Sequence, residues 1–158
     1  MMDREKLKKA YLAAAIAAAG IIAGLVFYTV IVEILRGMGH KPPLQPPAAD
    51  AAKYALYCIG VSALAVLKMA EIKLGGKKDN PEATVKALTT LAIVRAALCE
   101  LPAVAGLLLF LLTGKTLDFY LLVVFSVGLE IYNFPRLAQW EERLRGDFGQ
   151  LSTLKNTN

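Results

Sequence analysis

LTTLAIVRAALCELPAVAGLLLFLL, residues 88–112, is an apolar run interrupted by two charges, Arg95 and Glu100. A bilayer core is crossed by about 20 apolar residues in helical form, so this run is long enough to span one. A charge held at mid-membrane costs roughly 3 kcal/mol on insertion scales, so such residues turn inward, pair, or lose their charge. Pro102 follows Glu100 by two positions. It lacks an N–H and crowds the carbonyl four residues back, that of Leu98. A protonated Glu100 could donate to that carbonyl or to a neighbouring helix. Two readings stand together here: a carboxyl that binds and releases a proton, or an acid that pairs with a base and holds a bundle together.

Outward from this run, the chain repeats the pattern. Of its 158 residues 56% are hydrophobic, and they fall in long blocks, which marks a membrane protein. The expected fold is an all-α integral membrane domain, residues 1–158, with spans over 10–35, 51–70, 88–112 and 117–134 in two antiparallel hairpins. Residues 135–151 are expected to form an amphipathic helix on the membrane surface. In that segment Leu137, Trp140, Leu144, Phe148 and Leu151 recur at helical spacing among charged residues. The first apolar run is too long for a signal-peptide core and reads as an uncleaved span. The second is the shortest. It crosses only if Lys53 and Lys68 extend their ammonium groups to opposite surfaces. Lys41-Pro-Pro-Leu-Gln-Pro-Pro47 is a stiff connector. Asn80-Pro81-Glu82 reads as a helix start, and Gly75-Gly76 as a helix end.

Net charge is +5, but its placement matters more than its sum. Lys and Arg cluster before the first span, between the second and third, and after the fourth. The opposite loops hold only Arg36, Lys41 and Lys115. The positive-inside rule then puts both termini in the cytoplasm of a bacterial inner membrane. No basic face interleaved with aromatics is present, which argues against nucleic acid as a partner. Cys58 and Cys99 lie inside apolar runs and read as small buried residues without a disulfide. His40 reads as a solvated loop residue. No His, Cys and carboxylate cluster has metal-ligand spacing, so no metal and no cofactor are expected. Without a Ser/His, Cys/His or metal constellation, an enzyme acting on lipid is not expected either.

The candidate ion-binding residues are Glu100, Glu130 and Arg95. Glu100 lies 15 residues before Lys115 and Glu130 lies 15 after it, so in an antiparallel hairpin they share a depth. Two acids at one depth repel if both ionise, so one is expected to be protonated or bridged. Arg95 is expected to reach Glu130 across the hairpin. Ala13, Ala17, Gly20 and Gly24 form a small-residue stripe, joined by Gly106 on the third span. Such residues let backbones approach in lipid. Together they suggest a packing seam, within the chain or in a homo-oligomer with itself or other membrane subunits.

The segment Ala97–Leu107, with Glu100 followed six residues later by Gly106-Leu107, resembles the ion-carrying helix of the rotor-ring c subunits, the proteolipids, of rotary ATPases. The resemblance covers about 16 residues. It implies that Glu100 carries a proton or a sodium ion, and the four-span length looks like the doubled proteolipids of the vacuolar type. Three features depart from that family. The carboxylate helix begins a hairpin rather than ending one, the regular glycine repeat is absent, and the segment with Trp140 is additional. The other class of function is a structural or assembly subunit whose buried charges set helix packing.

Overall fold

The computed structural model describes residues 4–76 and 80–155, with side chains for 5–76 and 80–146. Within these bounds the chain is all helical: α1 Arg4–Gly37, α2 Ala48–Leu74, α3 Pro81–Thr113, α4 Thr116–Asn133 and α5 Leu137–Lys155. The first four are each long and apolar enough to cross a membrane. Each expected apolar run lies almost wholly within one of them, and the helices continue past it into polar residues, because backbone hydrogen bonding does not stop where apolarity does. Lys77 and Lys78 of the connector, and the side chains of Phe148 and Leu151, lie outside the described residues.

Local chemistry accounts for the helix ends. Asn80 is extended, and its side chain accepts from the Ala83 N–H at 2.7 Å, with Pro81 in the first turn. This satisfies one of the orphan donors that begin any helix. At the other end of α3, Gly114 adopts φ 70° and its N–H returns to the Phe110 carbonyl at 2.7 Å. Only glycine enters that left-handed region without a steric penalty. The Pro-rich connector folds over the same end. The Leu44 N–H reaches the Leu112 carbonyl at 3.1 Å, and His40 Nε2 lies 3.0 Å from the Leu111 carbonyl. The His40 ring also packs on Phe110, with centroids 5.6 Å apart. His40 is therefore not the solvated loop residue expected, because the end of a helix leaves carbonyls that a nearby donor can satisfy. α4 stops at Asn133, just before Phe134-Pro135, as the residue preceding a proline disfavours helix.

α3 is the hub: α1, α2, α4 and α5 all pack against it. Two apolar clusters divide the interior. One, Leu25, Val32, Ala103, Phe110, Phe119 and Val123, lies toward the α3–α4 turn. The other, Leu7, Ala14, Val85, Leu88 and Trp140, lies at the opposite end, where Trp140 of α5 meets Tyr11 edge-on at 5.9 Å. Close approach is made where small residues meet α3 and α4. A Cβ on Gly60 would stand 3.3 Å from the Pro102 Cα, and one on Gly106 would stand 3.0 Å from the Leu122 Cβ. On α1 the buried face is Leu7, Ala14, Ala18, Leu25 and Val32. Ala13 and Gly20 are exposed, Ala17 is half-buried, and nothing lies within 4 Å of a Cβ built on Gly20. Of the α1 stripe, Gly24 is the member set against α3, near Glu100. Cys99 is buried as expected, whereas Cys58 faces outward on α2; both are free thiols. The difference follows from rotation of α2, which turns Gly60, Ala63 and Leu67 inward.

Candidate functional site

Between the two apolar clusters lies a layer of polar groups on α1, α3 and α4. Glu100 projects from α3 toward α1, where the Tyr28 hydroxyl donates to its Oε1 at 2.5 Å. Gly24, one turn before Tyr28, makes room: a Cβ there would stand 3.6 Å from the same oxygen. Glu100 is half-buried. The Leu98 carbonyl is not its partner, because an α3 side chain leans toward the helix N-terminus and α1 supplies the nearer donor.

Glu130 sits on α4 at 1% exposure, and its Oε1 has no hydrogen-bond partner among the described protein groups. Its neighbours on the α4 face fix its level. Ser126, one turn before it, donates to the Cys99 carbonyl. Asn133, one turn after it, reaches Cys99 Sγ at 3.6 Å and donates to the Leu129 carbonyl at 2.9 Å. Glu130 is therefore level with Cys99, next to Glu100 in sequence, and the charge of Glu100 acts on it. Two ionised carboxylates at this separation, in surroundings poor in water, would repel strongly.

Arg95 does not serve as the counter-ion of Glu130. Its Nη2 pairs with Glu71 Oε1 on α2 at 2.9 Å, and its Nε is buried without a partner. The physical reason is direction. Side chains on a helix lean toward its N-terminus, and α3 and α4 run antiparallel. Arg95 therefore leans toward the start of α3 while Glu130 leans toward the start of α4. Glu71 was not visible as a partner from sequence, because it lies at the polar end of α2, beyond its apolar run.

A second polar group occupies the end of the bundle near the α3–α4 turn. Asp118 is buried, accepts from the Tyr57 hydroxyl at 2.9 Å, and pairs with Lys53 at 3.0 Å. Lys115 reaches Asp50 at 2.5 Å. The hydrogen bond to Asp50, and then its charge, hold the Lys115 ammonium above the usual lysine range against a small desolvation effect. Lys53 thus ends on a carboxylate of the bundle rather than simply reaching a surface. None of these residues carried a signal in sequence beyond a charge at a span end. At the opposite end a cavity of about 330 Å³ opens between α1 and α3, lined by Lys6, Ala10, Glu82, Val85 and Thr89 among others, away from both acids. No group of three or more metal-ligating side chains occurs among the described residues.

The fold and the carboxyl layer together define a multi-pass helical membrane protein. Comparison with known proteins finds no match: no family model fits the chain, and no curated protein and no solved structure aligns with it.

Proposed function

We propose that this protein is a proteolipid-like membrane subunit in which Glu100 and Glu130 form a proton-binding carboxyl pair. The observation that carries the reading is Glu130, buried to 1% exposure with one oxygen unpartnered, level with a second acid held by Tyr28. A carboxylate left unpaired in such a site is far more costly than a neutral carboxyl. One proton shared by the two acids removes both the repulsion and the unpaired charge. Glu100, half-buried and bonded to a phenol, is the member that exchanges with the outside; Glu130 is the sealed one. The resemblance of the Glu100 segment to the c subunits supports the same role for Glu100.

The charge distribution supports both termini in the cytoplasm of an inner membrane. On that orientation the Asp118 cluster lies at the outer surface, and α5 lies at the inner one, resting on α1 and α3 with its polar face to water. The outward-facing stripe of Ala13 and Gly20 is the surface on which copies of the chain, or other membrane subunits, would associate. The protein needs no cofactor for this role and is not itself an enzyme.

A hydrophobic carbodiimide, which reacts with protonated carboxyls in apolar surroundings, tests the proposal. Labelling is expected at Glu100 or Glu130, slowed by raising the pH, and lost at the substituted position in Glu100→Gln or Glu130→Gln. A protein that resists labelling at both positions at neutral pH overturns it. The second reading, a purely structural subunit, draws on the Arg95–Glu71 pair, which ties α2 to α3 without any proton transfer. It predicts that Glu100→Gln folds, assembles and supports growth as the unaltered protein does.

A further inference from the structure

Two buried polar atoms lack a hydrogen-bond partner among the described protein groups: Arg95 Nε, a donor, and Glu130 Oε1, an acceptor. Their chemistry is complementary, and their positions converge on one residue. Arg95 is one turn before Cys99 on α3. Glu130 lies between Ser126 and Asn133, both of which bond to Cys99. The charges of Arg95 and Glu130 both reach the Cys99 thiol. A lone unpaired donor or acceptor costs about 1–3 kcal/mol, which is why such atoms are rare in native interiors. A donor and an acceptor orphaned on either side of the same thiol are the two ends of a bridge. A water there would have Nε–H, Oε1 and the Cys99 sulfur as neighbours, a number of polar partners sufficient to hold it.

We propose that Arg95 is a shared counter-cation, held on Glu71 while Glu130 is neutral and recruited to Glu130 through a bridging water when Glu130 loses its proton. The balance is simple. The O–H bond of the Glu130 carboxyl breaks, its electron pair stays on the carboxylate, and the proton passes to water. Nothing is oxidised or reduced. Arg95 remains charged throughout, since a guanidinium does not deprotonate in proteins. Its fork of donors suits the exchange: Nη2 stays near Glu71 while Nε–H turns to the new charge. The groups facing Glu130 are Glu100 with its Tyr28 partner, the Cys99 thiol, Asn133 and Arg95. Of these only Arg95 offers positive charge. Glu71 is then a positioning residue for Arg95, and its removal would leave Arg95 committed to Glu130.

This inference rests on the proton-binding reading of Glu130, and infrared spectroscopy separates the two. At neutral pH the native protein should show a carboxylic-acid C=O stretch that Glu130→Gln removes. In Glu71→Gln, with Arg95 released, that band should be lost at the same pH, while circular dichroism and gel filtration show an intact bundle. In Arg95→Met the band should persist to higher pH than in the native protein. A native band that Glu71→Gln and Arg95→Met both leave unchanged overturns the shared counter-cation and spares the proton-binding reading. A native protein without the band overturns both. Should Glu71→Gln fail to fold, Arg95→Met and Arg95→Lys carry the same comparison from the other partner.

Discussion

Tyr28 and Glu100 illustrate how much one side chain contributes at this site. Their hydrogen bond joins α1 to α3 across a gap that Gly24 keeps open. Bonds to a carboxyl that carries charge are worth about 1.5–3 kcal/mol, so Tyr28→Phe is expected to lower stability within that range. Thermal unfolding in detergent measures it, and carbodiimide labelling of Glu100 should speed up once its partner is gone. A second prediction concerns Lys115. Its ammonium is held above the usual range by Asp50. A group whose folded pKa is raised contributes stability that is fully present below its unfolded pKa. That stability is lost as pH rises through the folded value. Melting temperature should therefore fall at alkaline pH, from about the ordinary lysine value of 10.5 upward, and Lys115→Met should flatten that fall. No such loss should appear on the acid side from this lysine.

At the scale of elements, the glycines separate by what surrounds them. Gly106 is wedged between helices: its added Cβ would stand 3.0 Å from the Leu122 Cβ and 3.2 Å from the Phe119 carbonyl oxygen. The second neighbour is backbone and cannot rotate away. Gly106→Ala is expected to cost about 1–3 kcal/mol, the usual range for overpacking. Gly20→Ala meets nothing within 4 Å and should change the stability of a single chain by less than about 0.5 kcal/mol. A drop in oligomer size in mild detergent for Gly20→Leu, with the single chain still folded, would assign that face to self-association. Trp140 gives the matching test for α5. It is buried against Tyr11 and the Leu7 cluster. Trp140→Ala should cost about 3–5 kcal/mol of docking and expose the Phe134–Leu137 junction to limited proteolysis.

For the whole molecule, α3 is the common surface. The order along it, from the α3–α4 turn, is an apolar cluster, then the carboxyl layer, then the Arg95–Glu71 pair, then the second apolar cluster under α5. This order gives a directed path for a proton, with its sealed end at Glu130. Orientation is checked by single cysteines in a background lacking Cys58 and Cys99. With both termini cytoplasmic, Lys41→Cys should react with a membrane-impermeant maleimide in intact cells. Lys73→Cys should react only after the membrane is opened. The reverse pattern inverts the topology and places the α5 end outside.

Sequence by itself determined the number of long apolar helices, the Asn80 cap, the stop at Phe134-Pro135, and the depth that Glu100 and Glu130 share. Each of these depends on local propensity or on counting 1.5 Å per residue from a turn, and neither needs a partner. Tertiary structure alone decided which faces meet. The helices are apolar on nearly every side, so no polar stripe told which way α2 or α3 turns about its own axis. That rotation gave Arg95 to Glu71 instead of Glu130, set Tyr28 on Glu100, buried Asp118 beside Tyr57, and left Cys58 facing outward.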